Sequence, residues 1–434
     1  MTKTFVTLTP EEFDKFAEKS PISNFQQSSA WAKLKADNGW KAHYIGVKND
    51  KSVVAAALIL EKPLPMHRSM FYAPHGPLLD YSDTSLLKFF TDHLKTYAKE
   101  HRAIFCKINP EIVNIERDIN GSPLENGENN TKIVQNLKKL GFKHRGFKTE
   151  GNIEPQYTFV LNINGRNVDE LYNGLKGAHR TRIRQNEKNH VTVRQISYEE
   201  LPEFKKIMVH TADRRGFTDR PLEYYQNFWK ALGDRHIIYF SEVNLKDYEA
   251  SVTAEKAVLD EKLAKLNQNL ESTSHKEKIE KQIASVCQDI SELENRLKKC
   301  ASYKKQAKND VLTLGALQFV RTNREITSVF GGNYGDYREF NSAYSLNWEM
   351  IKYAAENGYQ KYNFYGISEF KNPKDPSFGL YEFKRGFGGQ VEEYIGEFDL
   401  ITSQFWYLGY KLAYELPKNL RRRKNNKKFA KKES

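Results

Sequence analysis

The chain has 434 residues, 39% of them hydrophobic, with 68 Lys and Arg against 55 Asp and Glu for a formal net charge of +13; that is enough apolar sequence for two or three domains with real cores. The longest apolar run, Val53 to Leu60, falls far short of the roughly 20 residues a membrane span needs, and the three cysteines (Cys106, Cys287, Cys300) are too scattered for a disulfide framework or a zinc site. No apolar segment follows Lys3 to make a signal peptide, so the composition reads as that of a cytosolic globular protein.

The first 150 residues predict one α/β unit. Short helices are expected at Glu11 to Lys19, capped from Thr9-Pro10, and at Ser29 to Asp37. Strands follow at His43 to Lys48 and Val53 to Glu61 around an Asn-Asp-Lys turn. Next come a helix over Ser85 to His101, a strand over Ala103 to Ile108, and a helix over Ile133 to Leu140 that stops at Gly141. Asp118 to Asn130, rich in Asn and Gly, reads as a surface loop.

A second unit begins near Tyr157. Its strand Tyr157 to Leu161 precedes a basic helix over Val168 to Asn189, the strand Val191 to Ile196, helices over Glu199 to Arg214 and Glu223 to Leu232, and the strand His236 to Val243. The fold resumes with strands at Leu312 to Arg321 and Ile326 to Gly331, a helix over Ser345 to Asn357, and a strand at Lys361 to Tyr365. Strands alternating with helices in two similar halves predict two related mixed-sheet domains.

Between those strands lies a heptad pattern. Apolar residues fall at Val252, Leu259, Leu263, Leu266 and Leu270, then at Ile279, Ile283, Val286, Ile290, Leu293, Leu297 and Cys300. Steps of four and three keep one seam facing a partner helix. The stripe lapses once, at Glu271-Ser272-Thr273-Ser274-His275, so two antiparallel helices, each roughly 40 Å long, are expected. Set between two strands that would otherwise form a hairpin, the insertion is tolerated because closure entropy grows slowly with loop length.

Charge is unevenly spread. From Lys418 the tail carries nine basic residues against Glu433 alone, +8 of the total. A second cluster, Lys176, Arg180, Arg182, Arg184, Lys188 and Arg194, lies inside folded sequence and suits a phosphate-rich partner. The tail reads equally as a solvated end.

Three segments combine residues that could carry chemistry, and each has a plainer reading. Gly379-Leu380-Tyr381-Glu382-Phe383-Lys384-Arg385-Gly386-Phe387-Gly388-Gly389 mixes cations, aromatics and glycines as an RNA end would require, or it is a strand-turn-strand with core aromatics. Arg214-Arg215-Gly216-Phe217-Thr218-Asp219-Arg220, with Tyr224 and Tyr225, offers bidentate anion contacts, or only cations at a helix C-terminus. Gln27 to Lys35, followed by Gly39-Trp40, is by itself an amphipathic helix entry. The eleven histidines show no metal-ligand spacing, and neither a P-loop nor a GxSxG elbow is present.

Taken in order, these segments resemble the FemABX family of peptidoglycan aminoacyltransferases. The likeness runs through Gln27…Trp31…Lys35…Trp40, Ala178-His179-Arg180 to Arg184, Arg215-Gly216-Phe217…Arg220…Tyr224, Gly315-Ala316-Leu317, Phe330-Gly331-Gly332, Tyr344…Trp348-Glu349, Gly358-Tyr359…Tyr362-Asn363-Phe364-Tyr365-Gly366 and Gly379 to Gly388. The helical arm matches its longer members, the FemA, FemB, MurM and MurN types. The resemblance implies an α/β (α+β) fold of two N-acetyltransferase-like mixed-sheet domains plus an antiparallel coiled-coil arm. Domain one would span 1–155, completed by about 395–417; domain two would span 156–246 and 307–394; the arm would occupy 247–306 and the basic tail 418–434.

The implied reaction moves Gly, Ala or Ser from its tRNA ester to the stem-peptide lysine, or to the growing bridge, of a lipid-linked or UDP-linked peptidoglycan precursor. An amine attacking an activated ester needs no cofactor beyond the charged tRNA and no metal; the barrier lies in presenting a neutral amine and stabilising the oxyanion. By the same match Lys384 would stabilise developing charge and Phe383 would stack on the terminal adenosine. Lys35, Arg220, Tyr224 and Arg215 would bind the precursor, and Arg180, Arg182, Arg184 and Lys188 the tRNA. One departure is Asn109-Pro110 where the family often has Asp-Pro; Asn cannot take a proton at neutral pH, so no general base is expected there. Phe405-Trp406-Tyr407 to Tyr414, leading into the tail, reads as an interfacial helix with peripheral contact to the inner membrane face, or as a helix packed on domain one. Two other activities compete: a coenzyme A-dependent N-acyltransferase, for which Arg385-Gly386-Phe387-Gly388-Gly389-Gln390 misses the last position of the pyrophosphate loop, and a non-catalytic RNA-binding adaptor, which leaves Phe383-Lys384 unexplained.

Overall fold

A computed structural model describes residues 2–147, 152–272, 275–375 and 377–416; the basic tail at 418–434 lies outside the described residues. In chain order the strands are β1 (Lys3–Thr7), β2 (Lys41–Asn49), β3 (Ser52–Leu64), β4 (Arg68–Ala73), β5 (Ala103–Ile108), β6 (Val113–Glu116), β7 (Phe142–His144), β8 (Tyr157–Asn162), β9 (Val191–Gln195), β10 (His236–Asn244), β11 (Val311–Arg321), β12 (Glu325–Asn333), β13 (Lys361–Gly366), β14 (Gln390–Tyr394) and β15 (Phe398–Ile401). They form a seven-stranded sheet, β1-β2-β3-β4-β5-β15-β7, and an eight-stranded sheet, β6-β14-β8-β13-β12-β11-β10-β9. Both sheets are mixed: β4 pairs parallel with β5 and β12 with β13, while the other pairings are antiparallel. The apolar run in β3 explains its central place, because Ala55 to Ile59 are wholly buried with both faces of the strand covered.

Two strand exchanges tie the sheets together. β6, from the first 150 residues, pairs with β14 in the second sheet, whereas β15, from near the end of the described chain, inserts between β5 and β7 in the first. Buried ion pairs pin the crossings: Lys107 Nζ lies 2.8 Å from Asp399 and 3.0 Å from Glu397, and Arg117 Nε donates to Glu393 at 2.7 Å. Loops from both sheets therefore converge on one junction.

The arm consists of helices Leu245–Ser272 and Lys276–Lys304, packed antiparallel. Val252, Val286, Ile290, Leu293 and Cys300 are buried and the other stripe residues are half-buried, while residues between them face solvent. Its base is set against the eight-stranded sheet, with Tyr248, Cys300 and Tyr303 packed on Tyr337 and Phe340.

Two segments differ from expectation. The basic helix breaks into Val168–Asn173 and Gly177–Lys188, because the Lys176 N–H leaves the ladder to donate to Gly386 O at 2.9 Å. Residues Phe378–Arg385 form a helix where a strand-turn-strand was the plainer reading; the turn is confined to Gly388 and Gly389, at φ of 81° and 107°, where glycine is favoured.

Candidate active site

The helix Ser29–Ala36 packs against the helix Leu222–Leu232, with Trp31 edge-on to Phe228 at 6.3 Å. That contact brings Lys35, Arg220 and Tyr224 together. Lys35 Nζ lies 4.4 Å over the Trp31 ring, and Arg220 stacks 5.4 Å over Tyr224. Burial lowers the Lys35 pKa, which the Glu154 carboxylate partly restores and Arg220 lowers further. The Arg220 loop is held from below, where Lys205 donates to Arg220 O at 2.6 Å and Tyr225 to Asp219 at 2.6 Å. Arg215 stands apart: it closes the helix Leu201–Arg215 before the left-handed Gly216 and acts electrostatically on Arg214 alongside Arg338.

On the second sheet, the helix Phe378–Arg385 carries Phe383 and Lys384. Lys384 is buried; its ammonium donates to Gly366 O at 2.7 Å and Tyr365 O at 3.2 Å, and burial pulls its pKa down to about 7. Half-buried Phe383 packs edge-on against Tyr344 and Phe387 at 5.1 and 5.3 Å. The basic helix Gly177–Lys188 lies alongside, joined by a 2.8 Å hydrogen bond between His179 Nε2 and Phe383 O. Its cations divide. Arg182, Arg184 and Lys188 are exposed, Lys188 pairing at the surface with Glu255 of the arm at 2.8 Å, whereas Arg180 is half-buried and donates to Asn173 O and Leu175 O. Arg385 is bound to Glu382 and Asn120, and a side chain at Gly389 would strike Val160 O, so this segment does not form an open anion loop.

Between the two groups lies a buried polar cluster that the sequence did not reveal. His75 Nδ1 meets Glu111 Oε2, and its Nε2 stands 3.6 Å from Glu154 Oε2, an ion pair longer than a hydrogen bond. Burial opposes the imidazolium, but the two carboxylates outweigh it and push the pKa up to about 10. Burial likewise opposes both carboxylates, yet the imidazolium keeps them below their ordinary range. Glu154 also accepts from Tyr365 Oη and, at 3.0 Å, from Gln26 Nε2. Asn109 takes no proton; its Oδ1 accepts the His75 N–H at 3.0 Å and shapes the loop. Both His75 (φ 49°) and Tyr365 (φ 65°) occupy the left-handed region that a residue with a Cβ adopts at a cost. Glu111 follows Asn109-Pro110 directly and Tyr365 lies within a motif already singled out, so a signal existed for these two; none marked His75 or Glu154.

Among the described residues, one group has metal-ligand chemistry: His43, Glu61 and His101, with ligand atoms within 4.8 Å of one another. His43 there already bonds Tyr97 and Glu61, each at 2.9 Å.

The FemAB family model matches residues 8–415. The aminoacyltransferase FemA of Staphylococcus epidermidis is 30% identical over 95% of this chain and 100% of its own length, and FemA of Staphylococcus aureus is 29% identical over 91% and 94%. A crystal structure of FemX superimposes with a TM-score of 0.74 at 28% identity, covering 95% of this chain and all of that one.

Proposed function

The chain belongs to the FemAB family, and we propose that it takes Gly, Ala or Ser from a tRNA ester and adds it to an amine of a peptidoglycan precursor. It is an aminoacyltransferase, and its product is the precursor's cross-bridge. The observation that carries the finer reading is the convergence of two dissimilar half-sites on one junction. Lys35, Arg220 and Tyr224 form a cationic and aromatic wall suited to the phosphates and sugar of the precursor. Across from it, Phe383 and Lys384 sit beside a basic helix, as an aminoacylated tRNA end would require.

The reaction needs little beyond placement. The acceptor amine attacks the ester carbonyl, the carbonyl oxygen becomes an oxyanion, and the ribose oxygen leaves with a proton as the amide forms. Lys384 has three N–H donors, two of them engaged by the Tyr365 and Gly366 carbonyls. The third is available for the oxyanion, in a dry setting where such a contact is strongest. Phe383 supplies an aromatic face for the terminal base. Arg182 and Arg184, exposed and in no ion pair among the described residues, are the cations of the cluster offered to the acceptor stem, while Arg215 supplies charge at the rim.

The enzyme works in the cytoplasm in this reading, at the inner membrane face. No described helix is long and apolar enough to cross a membrane, but Phe405, Leu408 and Leu412 are 76, 59 and 66% exposed on one side of the last helical segment.

A radiolabel assay tests the reading. Purified protein is mixed with Gly-, Ala- and Ser-charged tRNA and a lysine-containing precursor in nucleotide-linked and lipid-linked forms. Ribonuclease-sensitive label entering one precursor identifies donor and acceptor together. Absence of label from every donor, with tRNA still bound, overturns it.

A further inference from the structure

Glu154 stands where the two half-sites meet. It accepts from the Tyr365 hydroxyl, and Tyr365 O in turn accepts from Lys384 at 3.2 Å. On its other side its charge acts on Lys35 and Tyr224. Lys35 does not touch it, lying instead over the Trp31 ring. Behind it, His75 joins Glu154 to Glu111, whose second neighbour is Asn24 at 3.3 Å.

Among the described residues His75 alone stands in ion-pair contact with the two carboxylates; Lys361 acts on Glu111 and Lys35 on Glu154 only from further off, and the Glu154 side chain keeps 13% of its surface exposed at this junction. A carboxylate held mostly out of water is best satisfied when a cation comes into direct contact with it. The reacting amine, ionised in water before it reacts, is such a cation, and it must arrive between the precursor wall and Lys384.

We propose that Glu154, braced by His75 and Glu111, is the receptor for the acceptor's ammonium group. The inference rests on the aminoacyl-transfer reading and adds the group that selects and aims the nucleophile. Gln26 and Tyr365 each occupy one Glu154 oxygen and so fix the direction of the remaining lone pairs. A primary amine on a flexible side chain is thereby drawn in as a cation; it passes its extra proton to the Glu154 carboxylate, which later returns it to water, and the freed lone pair attacks the ester beside Lys384. A hydroxyl or amide at the same position gains nothing from the charge.

The test is a binding comparison without tRNA, so that no chemistry intervenes. The probes are the precursor that accepts label and the same precursor acetylated on its acceptor amine. The wild-type protein should bind the free amine about 10- to 100-fold more tightly, the range of a hydrogen bond between charged partners. Glu154→Gln should bind both forms equally while retaining wild-type affinity for the acetylated one. Glu154→Asp, the backup should the Gln variant not fold, keeps the charge but withdraws it and should lose several-fold of the preference. The wild-type ratio in whichever of these variants folds overturns the proposal. Transfer by the wild type is measured in parallel: its absence overturns the parent reading, whereas an unchanged ratio with normal wild-type transfer overturns this inference alone.

Discussion

The buried ammonium of Lys384 donates to the carbonyl oxygen of Gly366 at 2.7 Å, so a strand end rather than a carboxylate holds the cation. Its pKa is accordingly down to about 7, and the sign of the consequence follows. The unfolded chain keeps this proton up to the ordinary lysine range, so between pH 7 and about 10 the unfolded state binds more protons and the folded state gains stability as pH rises. In the proposed role catalysis runs the other way, because only the protonated form serves an oxyanion. Lys384→Met should lower the single-turnover rate by about 10²- to 10³-fold and abolish the alkaline gain in stability. Lys384→Arg, which stays charged, should remove the fall in rate above pH 7. A full rate from the Met variant under saturating substrates would exclude the oxyanion role.

Lys35 and Arg220 predict a different kinetic signature. Both stand over aromatic rings, at 4.4 and 5.4 Å, on the side proposed for the precursor. Replacing either with Ala should raise KM for the precursor about tenfold, the loss of one charge-assisted contact, with kcat nearly unchanged. The remaining binding should also become less sensitive to salt. A fall in kcat at constant KM would move these residues to the reacting end of the cleft.

What could be read in advance depended on how local the pattern is. The arm was legible to within two residues at each end, since a heptad seam is a property of one stretch of chain and Val286, Ile290, Leu293 and Cys300 are buried where the spacing puts them. Lys35, Arg220 and Tyr224 were legible through motif order, although only the packing of Trp31 on Phe228 explains their meeting. The cluster of His75, Glu111, Glu154 and Tyr365 was not, because its members come from four separate segments brought together by the exchange of β6 and β15. Charge counting along the helix at 177–188 does not distinguish Arg180, whose guanidinium is turned back onto backbone carbonyls, from the exposed Arg182, Arg184 and Lys188, a matter of side-chain direction that composition does not encode. The helix Phe378–Arg385 was obscured by glycine density, whose turn function is confined to its end.

Gly386 and His179 offer a steric test of the scaffold. A Cβ at Gly386 would lie within 2.3 Å of three imidazole atoms of His179, and its backbone needs no special conformation. Gly386→Ala should therefore destabilise the protein by about 1–3 kcal/mol through overpacking and displace Phe383, whose carbonyl bonds that imidazole. In a His179→Ala background, which has its own cost, the same substitution should cost little, since the clash goes with the ring. An equal cost of Gly386→Ala in both backgrounds would show that the glycine is needed for another reason.

The exposed face of the last helical segment makes a prediction about location. Phe405, Leu408, Leu412 and Leu416 recur at steps of three and four, so they share one side of the helix. Arg68 stacks 4.9 Å over Trp406, which sets the Met66 hairpin tip, 71% exposed, beside the same segment. Lys143, Arg145 and Lys411 line a cavity of about 600 Å³ with Leu408, Leu412 and Leu416. An apolar ridge edged by cations suits the interface of an anionic bilayer, where apolar side chains enter the headgroup boundary and cations stay with the phosphates. The protein should float with vesicles containing anionic lipid and remain behind with purely zwitterionic ones. Phe405→Glu with Leu412→Glu should abolish flotation while leaving transfer to a nucleotide-linked precursor intact, because neither residue approaches the cleft. Removing residues 418–434 should weaken flotation and reduce its dependence on salt. Equal flotation of the wild type and the double Glu variant would show that this face does not meet the membrane and would return the segment to a packing role on the first sheet, where Tyr407 is already buried against Phe105.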